Sequence, residues 1–136
     1  MKSSKSLLTI ILLVFFACKN ENEKFKYKLS KIDNSEIEIV EIKKGFSDTI
    51  SVKLDSGQIK NVVNLINESG QAELLKAVPK YRLLIKMKND SIKAYKINDN
   101  YFGENDVYVR LKDKDYFKNI YENNIKSSTL IDSRIK

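Results

Sequence analysis

Apolar and polar residues alternate with period two over several short stretches of this chain, and a three-to-four-residue period separates them. Tyr81, Leu83, Ile85 and Met87 take one parity, and Arg82, Leu84, Lys86 and Lys88 take the other. Side chains two apart in a strand share a face, so this stretch predicts a strand. Pro79 marks its start, because proline cannot donate to a ladder. Asn89-Asp90-Ser91 turns the chain, and Ile92 to Ile97 returns with Tyr95 and Ile97 on one face, which predicts a hairpin. Asn98-Asp99-Asn100 breaks it, a loop carries Tyr101, Phe102 and Gly103, and Val107, Val109 and Leu111 alternate as a further strand.

Upstream, Glu36-Ile37-Glu38-Ile39 alternates, but Val40 and Ile42 fall on the opposite parity. That shift predicts a bulge or a strand with two buried faces. Ile50, Val52 and Leu54 alternate with Ser51 and Lys53, and Lys44-Gly45-Phe46-Ser47-Asp48 has the composition of a turn joining the two strands. Phe25, Tyr27 and Leu29 suggest an earlier strand.

Between these strands Ile59, Val62, Val63 and Ile66 recur at i, i+3, i+4 and i+7, the stripe of an amphipathic helix. Asp55 precedes it as a cap, Gln58 completes a capping box, and Gly70 is placed to close it as the C′ residue. Asp113 or Asp115 caps a short final helix bearing Tyr116, Phe117, Ile120 and Tyr121. Strand pairs joined by tight turns and one-faced helices predict an α+β fold: a mainly antiparallel sheet of about five or six strands with two helices packed on one face. The expected domain spans residues 25–124, with 125–136 a polar tail.

The strongest apolar run precedes all of this. Leu7 to Ala17 is eleven residues long, follows Lys2 and Lys5, and ends directly before Cys18, the single cysteine. A membrane-spanning helix needs roughly 20 apolar residues, so residues 1–17 read as a cleaved signal peptide. Phe15-Phe16-Ala17-Cys18 resembles the lipobox of bacterial lipoproteins, with Phe15 where leucine is commonest. The resemblance implies a diacylglyceryl group on the Cys18 thiol and an acyl chain on its amine; two chains already anchor durably, because each buried methylene contributes about 0.8 kcal/mol. Lys19-Asn20-Glu21-Asn22-Glu23-Lys24 is polar and without periodicity, a tether over 18–24. Cys18-Lys19 with nearby carboxylates is similar to the export signals of Bacteroidota lipoproteins, which implies the outer membrane, at the cell surface or on its periplasmic side. The stretch from Pro79 to Phe117 resembles small uncharacterised exported bacterial proteins, which implies no activity.

Composition narrows the chemistry. Without Lys2 and Lys5 the formal charge falls from +7 to +5, and only Arg82, Arg110 and Arg134 are arginines. Scattered lysines with few bidentate guanidinium groups argue against nucleic acid as a partner. There is no histidine, and Cys18 is spent on lipid, so the usual zinc ligands, imidazole base and thiol nucleophile are missing. No disulfide within the chain is possible, and packing must hold the domain.

Other candidate chemistry is thin. Asn98, Asn100, Gly103, Glu104 and Asp106 approximate the start of a calcium loop, but its twelfth position is Val109, where a bidentate glutamate is needed. Asp113 and Asp115 read as helix caps, not as a catalytic pair. No catalytic residue, metal or cofactor is expected. Strand parity groups Arg82, Leu84, Lys86, Tyr108 and Arg110, joined by Val40 and Ile42, on a sheet face away from the helices. Aromatic, aliphatic and arginine side chains together favour an interface, unless a bulge, the N-terminal strand or the tail covers them. The expected function is a non-enzymatic lipoprotein that presents this face to an envelope protein or glycan. An inhibitor or immunity-type module would differ only in its partner. The alternative is an enzyme or accessory subunit acting on an envelope polymer with carboxylate and tyrosine chemistry.

Overall fold

The computed structural model describes residues 27–45 and 50–132, with side chains as far as Ser127. The signal segment, Cys18, the tether, Phe25 and Phe46 to Asp48 of the first turn lie outside the described residues.

Seven strands form one antiparallel sheet: β1 (Ile37–Lys44), β2 (Ser51–Lys53), β3 (Glu73–Leu74), β4 (Tyr81–Met87), β5 (Ile92–Ile97), β6 (Tyr101–Glu104) and β7 (Val107–Arg110), in the order β2-β1-β4-β5-β6-β7-β3. Helices α1 (Ser56–Asn67) and α2 (Tyr116–Asp132) pack on one side. The fold is α+β, as the periodicities predict, with one strand more than the upper expectation.

The predicted bulge is present: Ile37 faces Met87 and Ile39 faces Lys86, so Glu38 is the extra residue. Beyond it Val40 and Ile42 point into the core, 1% and 0% exposed. Their expected place on the outer face is thereby corrected, because the bulge exchanges the two faces of β1. Ile42 and Val52, with Leu83 and Tyr95, make a register row beneath the helices. Tyr95 stacks on Phe102 with centroids 4.8 Å apart, and Phe102 stacks on Phe117 of α2 at 5.2 Å. Val62 and Ile66 of α1, and Ile120 and Tyr121 of α2, close the same cluster.

Helix α1 begins as its capping box predicts: Asp55 Oδ1 accepts from the Gln58 amide at 2.8 Å, and Gln58 Oε1 accepts from the Asp55 amide at 3.0 Å. It ends earlier than expected. Glu68 is the C-cap, Ser69 donates its hydroxyl to the Ile66 carbonyl, and Gly70 does not take the left-handed conformation of a C′ residue.

Three further expectations are corrected. Tyr101-Phe102-Gly103 is strand, not loop, paired on both sides by β5 and β7. Residues 125–132 continue α2 instead of forming a frayed tail, with Ile125 packed against the core. The strand suggested by Phe25, Tyr27 and Leu29 is, in the described residues, a single bridge from Tyr27 to Ala72. The chain then crosses the helix side with Leu29 and Ile32 buried. Asn67 holds it there, accepting from the Ile32 amide and donating to the Ile32 carbonyl, both at 2.8 Å.

Residues 75–80 join β3, at the sheet's far edge, to β4 near its middle, and so must pass β7, β6 and β5. Four strand spacings are about 19 Å, and six extended residues reach about 20 Å. The segment is therefore a taut strap. It starts at the Asp106 carbonyl, bonded by Leu75 N–H, and ends at the Ile97 carbonyl, bonded by Lys80 N–H. Aromatic stacking fills the helix side, so the strap crosses the outer side. Its burial alternates accordingly: Leu75, Ala77 and Pro79 are covered, whereas Lys76, Val78 and Lys80 are exposed.

Candidate functional site

A cleft of about 430 Å³ opens where the end of α1 approaches β7 and the start of α2. Its floor is apolar: Leu65 is half-buried, and Val109 and Leu111 are 6% and 8% exposed. Its rim is polar. Asn61, Asn64 and Glu68 follow one another at i, i+3 and i+7 along α1, which stacks them on a single stripe facing the opening. Lys112 and Asp113 supply the opposite wall, and Tyr116 closes the end.

Local hydrogen bonds hold both walls. Ser69, bonded to the Ile66 carbonyl, fixes the turn after α1, and Leu111 N–H donates to the Asn100 carbonyl at 2.7 Å. Asp113 Oδ1 accepts from the Asp115 amide at 2.9 Å, and its carbonyl accepts from the Tyr116 amide. This carboxylate therefore shapes the turn into α2, in line with the structural role expected of it. The Tyr116 hydroxyl is buried without a hydrogen-bond partner, and burial holds its pKa above that of an ordinary tyrosine. It remains a phenol at neutral pH, with a donor unspent by the fold.

Chemically the cleft offers amides, a lysine and carboxylates over an apolar base. Such groups can hydrogen-bond a polar ligand from several directions, with room for its carbon skeleton over Leu65 and Leu111. Among the described residues no group of three or more His, Cys, Asp or Glu is arranged to hold a metal ion. Within the approximate calcium loop, Asn98 Oδ1 accepts from the Asn100 and Tyr101 amides, and Gly103 lies in β6.

The sheet's outer face does gather the residues grouped by parity. One register row crosses all seven strands: Ser51, Lys43, Arg82, Lys96, Gly103, Tyr108 and Glu73. Leu84 and Lys86 occupy the next rows on β4, half-buried like Arg82. Arg82 donates from Nε to the Gly45 carbonyl at 3.0 Å. Lys86 meets Glu38 at 2.9 Å and Asp90 at 3.5 Å, and the hydrogen bond it donates to Glu38 raises its pKa. Arg110 is exposed, donates to the Tyr101 hydroxyl at 3.0 Å and lies 5.5 Å from that ring's centroid.

Tyr108 does not belong to an accessible face. It is 1% exposed yet lies outside the main core cluster, because it sits opposite Gly103 under the strap. Sequence parity placed it on the correct side of the sheet but carried no sign of the strap. The cleft residues Asn61, Asn64 and Tyr116 were missed altogether. The one available signal was the polar stripe of α1, which mirrors its apolar stripe.

No protein-family model, curated protein or solved structure matches the chain.

Proposed function

We propose that this chain is an outer-membrane lipoprotein, anchored through acyl groups on Cys18, whose domain binds a polar envelope ligand in the α1–β7–α2 cleft without transforming it. The observation that carries the binding role is the cleft itself: an opening of about 430 Å³ with an apolar floor and convergent hydrogen-bonding groups is of the size and character that ligand sites use. The ligand class favoured is a glycan or peptide segment, which matches amide and carboxylate rims better than a bare phosphate does. The lack of histidine, and of any cysteine besides Cys18, supports binding over catalysis.

Titration of glycan and peptide fragments of the envelope into the purified lipoprotein tests this, with amide shifts of Asn61 and Asn64 as the readout. Saturable shifts, lost in an Asn61→Leu, Asn64→Leu variant that keeps its fold, are expected; shifts confined to residues outside the cleft would overturn the assignment. For the anchor, Cys18→Ser is expected to abolish palmitate labelling and release the protein from membranes.

A second reading, an enzyme acting on an envelope polymer, draws on Glu68 and Asp113 both lining the cleft. It requires one carboxyl to act as an acid and the other as a base or nucleophile. Asp113 is already committed to the Asp115 amide, which favours binding. Product release by the parent but not by Glu68→Gln would reverse that preference.

A further inference from the structure

The outer face is divided. The strap covers its β6–β7 half, while among the described residues nothing crosses the β1–β4–β5 half, where three half-buried cations stand side by side: Lys43 opposite Arg82, and Arg82 opposite Lys96. Directly opposed like charges on one sheet face are unfavourable, and here two such pairs are consecutive. Arg82 is held by the Gly45 carbonyl, and the two lysines beside it are compensated only in part. Asp106 stands 3.8 Å from Lys96, whose side chain is 39% exposed, and Glu41 lies one row away, opposite Lys53. Lys43, and Lys76 on the strap, have no ion pair among the described residues.

Two apolar side chains project from the same side. Val78, at the crest of the strap, is 83% exposed, and Ile92, on the outer parity of β5 opposite Lys86, is 64% exposed. Exposed aliphatic tips among lysines are what interfacial membrane binding uses: the tips enter the headgroup boundary, and the cations meet lipid phosphates.

We propose that the open half of this face is a second membrane contact, resting on anionic lipid headgroups with Val78 and Ile92 lowered into them. The proposal rests on acylation at Cys18. Eight residues lie between Cys18 and Tyr27, a reach of about 30 Å when extended, which lets the domain lie on the bilayer that holds it. In this orientation the helices and the cleft face away from the membrane.

The test uses the full lipoprotein reconstituted in phosphatidylcholine vesicles, with or without phosphatidylglycerol. Acylation blocks Cys18, so Val78→Cys or Lys60→Cys provides a unique thiol for a fluorophore, and spin-labelled lipids quench whichever label lies at the surface. Lys60, exposed on α1, reports the helix side. Stronger quenching of the Val78→Cys label is expected in anionic vesicles only, and added salt should abolish it. Lys43→Gln with Lys96→Gln should lower the docked-to-free ratio roughly twenty-five-fold, about fivefold for each lysine removed. Circular dichroism confirms that this double variant is folded. Equal quenching at the two positions, or the same difference in neutral vesicles, would overturn the proposal. The mass of the N-terminal peptide reads acylation independently. Unacylated protein overturns the anchor, whereas acylated protein with equal quenching overturns the face alone.

Discussion

Gly103 and Tyr108 face each other across β6 and β7 so closely that no side chain fits at Gly103: a Cβ there would stand 2.0 Å from the Val107 carbonyl oxygen and 2.7 Å from Tyr108 Cα. The obstructing atoms are backbone, so relief requires the two strands to part. Gly103→Ala is expected to cost about 3 kcal/mol or more, at or above the upper end for overpacking. Gly70→Ala, with nothing within 4 Å of its Cβ, is expected to stay within about 1 kcal/mol of the parent. Urea midpoints of the two variants decide it, and equal midpoints would refute the steric account.

Gln58 links the start of α1 to α2. Its side chain caps Asp55 and also exchanges hydrogen bonds with Asn124, at 3.2 Å and 3.0 Å, while Asn124 Nδ2 donates to the Lys53 carbonyl at 3.0 Å. Asp55→Ala should cost about 1 kcal/mol as a lost cap. Gln58→Ala and Asn124→Ala should be non-additive, with a coupling of about 0.5–1.5 kcal/mol in a double-mutant cycle. Strict additivity would mean that the two helices are joined only through the apolar core.

Tyr95 is fully buried, and its hydroxyl has no hydrogen-bond partner. Replacing it by phenylalanine removes an unsatisfied polar atom, so Tyr95→Phe is expected to be neutral or stabilising by about 1 kcal/mol at pH 7.

The same group sets an alkaline limit. Burial, reinforced by Glu104, raises the Tyr95 pKa well above its ordinary value, and burial raises those of Tyr108 and Tyr116. Unfolded tyrosine ionises near pH 10. Above that pH the unfolded chain releases protons that the folded chain retains, so stability falls as pH rises and is unaffected by these groups below it. The loss of stability between about pH 9 and pH 11 should be smaller in Tyr95→Phe than in the parent, as read by urea midpoints.

Asn67 meets both backbone groups of Ile32. Asn67→Ala strands an amide and a carbonyl in a part-buried place, at a cost of about 2 kcal/mol. Asn67→Asp keeps the acceptor but sets a carboxylate against the carbonyl, and should fare no better. Faster hydrogen exchange over residues 28–33, with β4 and β5 unchanged, would locate the effect.

What could be read from sequence was local. The capping box at Asp55, the β4–β5 hairpin and the bulge in β1 each leave their mark within one short continuous stretch, seventeen residues for the hairpin and fewer for the others. β6 escaped because its Tyr101-Phe102-Gly103 run is short and carries a glycine; its pairing with β5 and β7 makes it a strand. β3 is two residues long and exists only as the partner of β7. Helix α2 outruns its apolar stripe because, once Phe117, Ile120 and Tyr121 are seated, each added turn needs little further packing. The cleft draws on three distant segments, so no local pattern could announce it. Tyr108 shows the limit most plainly: pleat parity gives the side on which a residue lies, whereas its burial depends on a strap six residues long and about thirty residues upstream.

The clamp on the chain's entry has a mechanical consequence. Among the described residues, a pull applied from the N-terminal side meets Tyr27 first, whose carbonyl accepts one hydrogen bond from the Ala72 amide. The load then passes to buried Leu29, to the Ser30 amide bonded to Glu104 of β6, and to the paired Asn67–Ile32 bonds. These contacts act as a fuse: such a pull peels a few residues from the surface before it reaches β4, β5 and the cleft.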